Sequence, residues 1–379
     1  NAAKNNLKTL LVDEKNELGG ATIYQNREFN KIENQSSSDW IKKEIQELKN
    51  LKNLEIKTRT SVAAFHGYNY LLARENLTDH LEKKEKQGKI RQRLLKIRAK
   101  KVILATGALE RPLIFNNNDR PGIMLSSAVK KYADFYGVVS GKKNVFFTNN
   151  DSAYESALCL HNKGIKVEAV IDIRENSGSK IVKAVKDAGI PIHWSHTIVD
   201  TKGYKRLNSI SAMKLSNDGS SVTGSKIDIV CDCLGVAGGW TPAVHLFTQS
   251  GGKLTFDETN KVFLPNKYPS EQISVGSCNG DFKIKEIINN LSINLKEFLN
   301  IEKTDFDNVT VESEDDNSKR NIWLLPSDKP LGKTKPFVDY QNDATAKDIK
   351  LALREGFRSI EHVKRYTTTG MGTDQGKLG

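Results

Sequence analysis

The chain has 379 residues, with 58 Lys and Arg against 46 Asp and Glu, a formal net charge of +12. Its 37% hydrophobic and 27% charged content is that of an ordinary globular protein, which excludes a collagenous or disordered chain; no stretch approaches the roughly 18 consecutive apolar residues of a membrane span. Four cysteines, Cys159, Cys231, Cys233 and Cys278, are too few for a disulfide framework at this length and fit a reduced, cytoplasmic setting.

The positive balance first suggests nucleic acid. The bases, however, alternate with acids, as in Glu82-Lys83-Lys84-Glu85-Lys86, and no RRM, zinc-finger or helix-turn-helix signature accompanies them. A lysine-rich surface, with neither nucleic acid nor membrane as partner, is the expectation.

In chain order, residues 7–14 (LKTLLVDE) read as a buried parallel strand ending in two acids. A dinucleotide fold places a ribose-binding carboxylate at such a strand end, about 20 residues after a first strand and its glycine-rich turn. Those residues do not precede this strand, so the expectation is either an internal piece of a longer chain or a strand unrelated to dinucleotides. Gly19-Gly20 follow, either to let a ligand approach the backbone or to make a turn. Residues 39–51 carry Trp40, Ile41, Ile45, Leu48 and Leu51 at helical spacing, with Asp39 as N-cap. Segments near 54–56, 61–65 and 68–74 predict a small antiparallel sheet, and residues 82–98 an exposed hairpin or insertion.

Residues 101–108 (KVILATGA) run from an apolar strand into a small-residue turn, followed by Glu110-Arg111-Pro112 and Arg120-Pro121-Gly122. A strand followed by Ala-Thr-Gly suits a backbone passing close to a cofactor, with Gly107 and Ala108 keeping side chains out of the way. A second βαβ outline follows: strand 143–150, a helix from Asp151, and strand 167–174 carrying Asp172. Its first turn, Thr148-Asn149-Asn150-Asp151-Ser152-Ala153, lacks the glycines that let a pyrophosphate reach a helix N-terminus. This second unit therefore reads as structural, with its nucleotide site empty. Residues 227–233 are expected as one strand, with inert thiols Cys231 and Cys233 on one side of it, and Gly235, Gly238 and Gly239 as a turn. Strand 272–275, a glycine turn and helix 285–299 close the first cofactor-binding half.

These features predict an α/β chain of two dinucleotide-binding domains in the disulfide-reductase-like arrangement, with the second domain inserted in the first. The expected boundaries are 1–141 completed by 251–310, then 142–250, then 311–379. No nucleophile–base pair and no HExxH is present, and His245 and His362 are expected to be packed or hydrogen-bonded, so no catalytic residue and no metal site is assigned.

Three stretches, TNNDSAYESA, CLGVAGGWTPAVHLFTQSGGKL and FVDYQNDATAKDIKLALREGFRSIEHVKRYTTTGMGTDQGK, resemble the alpha subunit of the heterotetrameric sarcosine oxidases, and the resemblance runs over nearly the whole chain. It implies a subunit, not catalytically competent alone, of an enzyme that oxidatively demethylates sarcosine to glycine. The products would be hydrogen peroxide and methylenetetrahydrofolate, and the partners beta, gamma and delta subunits. NAD would sit on this chain, FAD and FMN elsewhere in the complex with FMN near the alpha–beta interface, and tetrahydrofolate on a folate-binding domain further along.

The resemblance carries Asp13, Glu14 and Lys15 over as adenosine-ribose contacts, Ala21 where the family often has Thr, and Val62 as a backbone contact on the adenine side. Gly107 lies in the crossover turn, and Ser277, Phe282 and Ile284 on the returning turn and helix start. Related subunits hold a [2Fe-2S] cluster with four cysteines in the region like 337–377. Here Val338-Asp339-Tyr340-Gln341 and Asp374-Gln375-Gly376 stand in those places, so a helical module without the cluster is expected. Three alternatives remain: a stand-alone NAD(P)H-dependent FAD oxidoreductase of disulfide-reductase type, disfavoured by the missing CxxxxC pair, a subunit of another secondary-amine oxidase or dehydrogenase, and a purely structural scaffold whose NAD site has decayed.

Overall fold

The computed structural model describes residues 1–24, 30–312 and 319–376. The chain divides into two compact units, 1–108 with 241–313 and 109–240 with 314–379, so part of the second is inserted between the two parts of the first. The sequence reading placed its boundaries at 141/142, 250/251 and 310/311. Residues 109–141 group with the second unit because Ile123–Leu125 pairs with Cys233–Ala237 and helix Ser126–Asp134 packs on that strand.

In the first unit, Thr9–Val12 pairs in parallel with Leu54–Lys57, Thr9 opposite Leu54 and Val12 opposite Lys57. Between them lies helix Ser37–Leu48. Its N-cap is Ser36, not the expected Asp39: the Ser36 hydroxyl accepts the Asp39 N–H at 3.0 Å and donates to its carboxylate at 2.7 Å. Asp39 instead supplies negative charge in the first turn, where the helix dipole favours it. The antiparallel sheet forms from Thr60–His66, Tyr70–Asn76 and Gln92–Arg98, and the segment near 54–56, expected in it, instead belongs to the parallel pair with Thr9–Val12. The expected exposed insertion thus resolves into a short helix, Lys83–Lys86, and the third strand of that sheet. Val102–Leu104 and Gln272–Ser274 form a second parallel pair. Phe65, Leu71, Val102, Leu104 and Phe247 make the unit's buried apolar cluster, and helix Ile284–Leu299 follows the second pair.

The second unit is built on a parallel sheet ordered Ile123–Leu125, Cys233–Ala237, Asn144–Thr148, Val167–Asp172, Ile192–Trp194. Every residue of Asn144–Thr148 and Cys233–Ala237 is buried, as strands covered on both faces must be. The order, with the chain moving outward from Asn144–Thr148 and then returning on its other side, is that of a dinucleotide-binding sheet. Three antiparallel strands, His196–Lys202, Ser209–Leu215 and Val222–Val230, add a second layer to the same core.

Two local expectations are corrected. The expected strand 227–233 is two strands, Val222–Val230 and Cys233–Ala237, in different sheets. The break sits at Asp232, whose carboxylate accepts the N–H groups of Lys142 and Lys143 at 3.1 and 2.8 Å and turns the chain from one sheet into the other. Cys231 and Cys233 therefore do not share a strand, but both are buried, and burial pushes both thiols up to about 12. Gly235 lies inside a strand rather than a turn, because a Cβ there would stand 2.6 Å from the fully buried ring of Phe146.

The tail forms a small hairpin, Phe337–Asp339 with Ala344–Thr345, and helices Ala346–Arg354 and Ile360–Thr367 joined through Gly356 at φ +93°. Thr345 and Asp348 make a reciprocal capping box on the first helix.

Glu110 opens the Glu-Arg-Pro motif and is buried. One carboxylate oxygen caps helix Ser126–Asp134 by accepting the Ser127 N–H at 2.9 Å; the other has no hydrogen-bond partner. Burial pushes its carboxyl up to about 7, with the Ser127 bonds pulling the other way.

Two predictions follow from this packing. Gly235→Ala should cost about 1–3 kcal/mol through overpacking against Phe146; an unchanged denaturant melt would contradict the close approach. Above the ordinary carboxyl range and below about 7, folded Glu110 keeps a proton that the unfolded chain has released, so its contribution to stability falls as pH rises through that window. Glu110→Gln should remove this slope, worth about 3 kcal/mol across the window, in melts compared on the two sides of it. A variant with the wild-type slope would refute the assignment.

Candidate dinucleotide site

Apolar Leu10, Leu11 and Val12 carry the first strand to its C-terminal end, where Asp13 takes over. The Asp13 N–H donates to the Lys57 carbonyl and its own carbonyl accepts the Thr60 N–H, both at 2.9 Å, so its backbone is fixed between the neighbouring segments. Its Oδ1 accepts the Lys15 N–H at 2.9 Å, which folds the chain sharply at the strand end. The Lys15 carbonyl accepts the Arg59 N–H at 2.7 Å. Asp13 is half-buried, and its Oδ2 makes no hydrogen bond among the described residues. Glu14 is exposed and Lys15 half-buried.

Val62 starts a β-bulge that leaves Ala63 unpaired and exposed, while Val62 itself packs on the buried apolar cluster. Bulges free backbone groups and re-aim a strand beside a site. The structure thus brings Asp13, Glu14, Lys15 and Val62 to one end of the strand pair. Ala21 lies exposed in the turn Gly20–Tyr24, which packs on helix Ser37–Leu48; alanine offers no hydroxyl there.

The other four predicted residues gather at the C-terminal end of the second strand pair. Gly107 has φ +74°, open space where a Cβ would be, and a carbonyl that accepts the Ala243 N–H at 2.9 Å. Thr106, beside it, donates its hydroxyl to the Ala243 carbonyl at 2.7 Å. Ser277 is half-buried in the 3-10 turn Gly276–Asn279. That turn is anchored by the buried Cys278, whose thiol donates to the carbonyls of Leu104 and Val275 at 3.2 Å. Phe282 is half-buried, and Ile284 is the first residue of helix Ile284–Leu299.

Asp281, missed in the sequence, belongs to this group. One of its oxygens accepts the Asn290 side-chain amide at 2.7 Å, and the other is buried without a partner. Burial pushes the carboxyl up, with Asn290 opposing. The Gly-Asp pair after a strand turn was its only sequence signal.

Both groups sit where parallel strands end, the edge at which dinucleotide folds receive their ligand. The chemistry fits a nucleotide: an acid with an open oxygen for a ribose hydroxyl, a glycine with room for close approach, and a helix N-terminus for phosphate. His245, at the start of helix His245–Gln249, and His362, on helix Ile360–Thr367, both have exposed side chains.

A [2Fe-2S] cluster does not fit the tail. All four cysteines lie elsewhere in the chain, and among the described residues no cluster of metal-ligating side chains occurs. Asp339, buried, instead accepts the N–H groups of Gln341, Asn342 and Gly370. The Gln341 side-chain carbonyl accepts the Thr373 hydroxyl at 2.9 Å and the Asp374 N–H at 3.4 Å. Polar pins join the two segments of the module that cysteines would otherwise tie together.

Comparison with known proteins bears on these sites. Residues 333–379 match the sarcosine oxidase A3 domain. The chain is 34% identical to sarcosine oxidase subunit alpha of Corynebacterium sp. (strain P-1) over 99% of its own length and 39% of that protein. It is 32% identical to the Rhizobium meliloti (strain 1021) subunit alpha over 100% of its length and 36% of that protein. It thus spans about two fifths of the length of these relatives. Among solved structures, L-proline dehydrogenase from P. horikoshii superposes with TM-score 0.67 at 22% identity, covering 99% of this chain and 68% of that one. Thioredoxin reductase from T. acidophilum superposes with TM-score 0.51 at 16% identity, covering 74% and 86%. The chain has the disulfide-reductase-like fold of two dinucleotide-binding domains, and over nearly its whole length its sequence is similar to the alpha subunits of sarcosine oxidase.

Proposed function

We propose that this chain carries the NAD site of a multisubunit flavoprotein that oxidatively demethylates sarcosine to glycine. The observation that carries the reading is the half-buried Asp13 at a parallel strand end, one carboxylate oxygen spent on the turn and the other open. The likeness to alpha subunits over nearly the full length of the chain supports this choice of substrate and enzyme class.

In this reading Asp13 accepts a ribose hydroxyl, with Glu14 and Lys15 beside it and the Val62 backbone on the adenine side. The dipole of helix Ile284–Leu299 favours the pyrophosphate, Gly107 and Ser277 allow its approach, and Phe282 and Ile284 shield it from water. NAD bound here is a resident of the subunit. The oxidising flavin and the amine belong to partner chains, namely the beta, gamma and delta subunits, with FMN toward the beta subunit and tetrahydrofolate on a further domain. Hydrogen peroxide and methylenetetrahydrofolate are the products so assigned, and the cytoplasm the setting. The functional division into 1–141 with 251–310, 142–250 and 311–379 is part of the same proposal.

Asp13→Ala, in the chain co-purified with its partner subunits, should weaken NAD binding about 10- to 100-fold, the loss of one charge-assisted hydrogen bond, and should lower stability by about 1 kcal/mol through the lost Lys15 N–H bond. Unchanged affinity by calorimetry would remove the site. The assembled complex should release peroxide on addition of sarcosine; NADH oxidation by this chain alone, without sarcosine turnover, would favour the reductase reading instead.

A further inference from the structure

The second unit has the sheet order of a dinucleotide-binding domain, and its crevice is defined by topology. Asn144–Thr148 has Val167–Asp172 on one side and Cys233–Ala237 on the other, so the switch point opens between Thr148 and Ala237. Three groups normally meet a dinucleotide at such a point: the turn after the first strand, the N-terminus of the following helix, and the acid ending the second strand. Each is already used by the chain itself.

The turn is buried. The Asn149 N–H and the Asn150 side-chain amide both donate to the Ala237 carbonyl at 3.3 Å, drawing the two strand ends together. The helix Ser152–Asn162 has its first N–H, that of Ser152, capped by Asn150 Oδ1 at 2.9 Å. The acid, Asp172, is fully buried; it accepts the Tyr154 hydroxyl at 2.8 Å and the Arg174 guanidinium at 2.7 Å, and Arg174 reaches on to Asp151 at 2.6 Å.

Across this same edge runs a segment from the far end of the chain. The Arg320 carbonyl accepts the Asn149 side-chain amide at 3.2 Å. Its guanidinium donates to the carbonyls of Ile173 at 2.8 Å, just past the second strand, and of Ser216 and Asn217 at 2.8 and 2.6 Å. The Trp323 indole N–H donates to the Gly238 carbonyl at 2.7 Å, just past the returning strand. Trp323 and Leu325 exchange backbone hydrogen bonds with Ile114 at 2.7 and 2.8 Å, and Ile322 and Trp323 pack on the core. One short segment therefore bonds to the residues that follow all three central strands.

We infer that the nucleotide crevice of the second unit is the permanent seat of residues 319–325 of the same chain, and that this unit binds its own strap in place of a dinucleotide. The strap leads straight into the tail module, whose first residues are held in turn by Asn116 and Asn118: the Lys335 N–H donates to Asn116, and Phe337 exchanges two hydrogen bonds with Asn118. The former cofactor surface thus serves to fix where the tail module begins. This does not rest on NAD binding in the first unit.

The test uses the full chain with its partner subunits. Titration with NAD and with NADP should saturate at no more than one dinucleotide per chain, and hydrogen exchange of a peptide covering 319–325 should change by less than about twofold when either is saturating. Arg320→Ala should raise exchange in that peptide by about tenfold or more without creating a second dinucleotide site. Arg320→Lys, which keeps the charge but loses the fork that reaches three carbonyls, should fall between. Two dinucleotides per chain, or exchange of 319–325 that accelerates on adding dinucleotide, would overturn the inference, because the strap would then be displaceable. A complex that binds no dinucleotide leaves the strap upheld and sinks only the NAD reading of the first unit.

Discussion

The Arg174 guanidinium, 3% exposed, lies against an Asp172 carboxylate that is 0% exposed. Taking two charges out of water costs several kcal/mol per ion, and their attraction repays it only when the remaining donors and acceptors are also satisfied. Here Tyr154 and the Arg174 N–H complete Asp172, and the Nη2 of Arg174 donates to both Asp172 and Asp151. The second unit is organised around meeting that demand. Tyr154 and Asp151 come from the helix start after the first strand, Asp172 and Arg174 from the end of the second. The pair therefore locks one strand–helix–strand turn into a single arrangement and closes the crevice beside it.

The first unit contains the same local pattern with the opposite outcome. Asp13-Glu14-Lys15 and Asp172-Ile173-Arg174 both end a parallel strand, and in both the third residue's N–H donates to the acid's Oδ1 at 2.9 Å. The difference lies in the third side chain. Arg174 bends back and forks between two carboxylates, whereas the Lys15 ammonium makes no ion pair with Asp13 among the described residues. A planar guanidinium can serve two acids at once, and a lysine ammonium is a point charge that prefers water. One strand end is left open to a ligand and the other is spent on structure.

The sequence carried much of the scaffold. Apolar strand, turn and helix recur in both units, and their order was readable because parallel strands are nearly uninterrupted apolar runs. It misled where tertiary packing decided. Gly235 looks like a turn residue but is a glycine made necessary by Phe146, and the apolar run ending at Cys233 hides a change of sheet enforced by Asp232. Ser36 rather than Asp39 caps its helix, since either residue type can do so and only geometry selects. The strap 319–325 had no signal at all: it has no periodicity, and its meaning lies in carbonyls more than 100 residues away along the chain. Within the candidate site, Asp13 was visible as a strand-end acid, while Asp281 became visible only through its buried, unpartnered oxygen.

The burial of the cysteines has a chemical consequence of its own. Oxidants attack the thiolate, and both Cys231 and Cys233 are held protonated far above neutral pH, while burial also raises the half-buried Cys159. Cys278 keeps its sulfur inside, against two carbonyls. With the tail pinned by amide and carboxylate groups that have no redox chemistry, the fold withholds its thiols from oxidants, and the exposed Met371 is the sulfur they reach first.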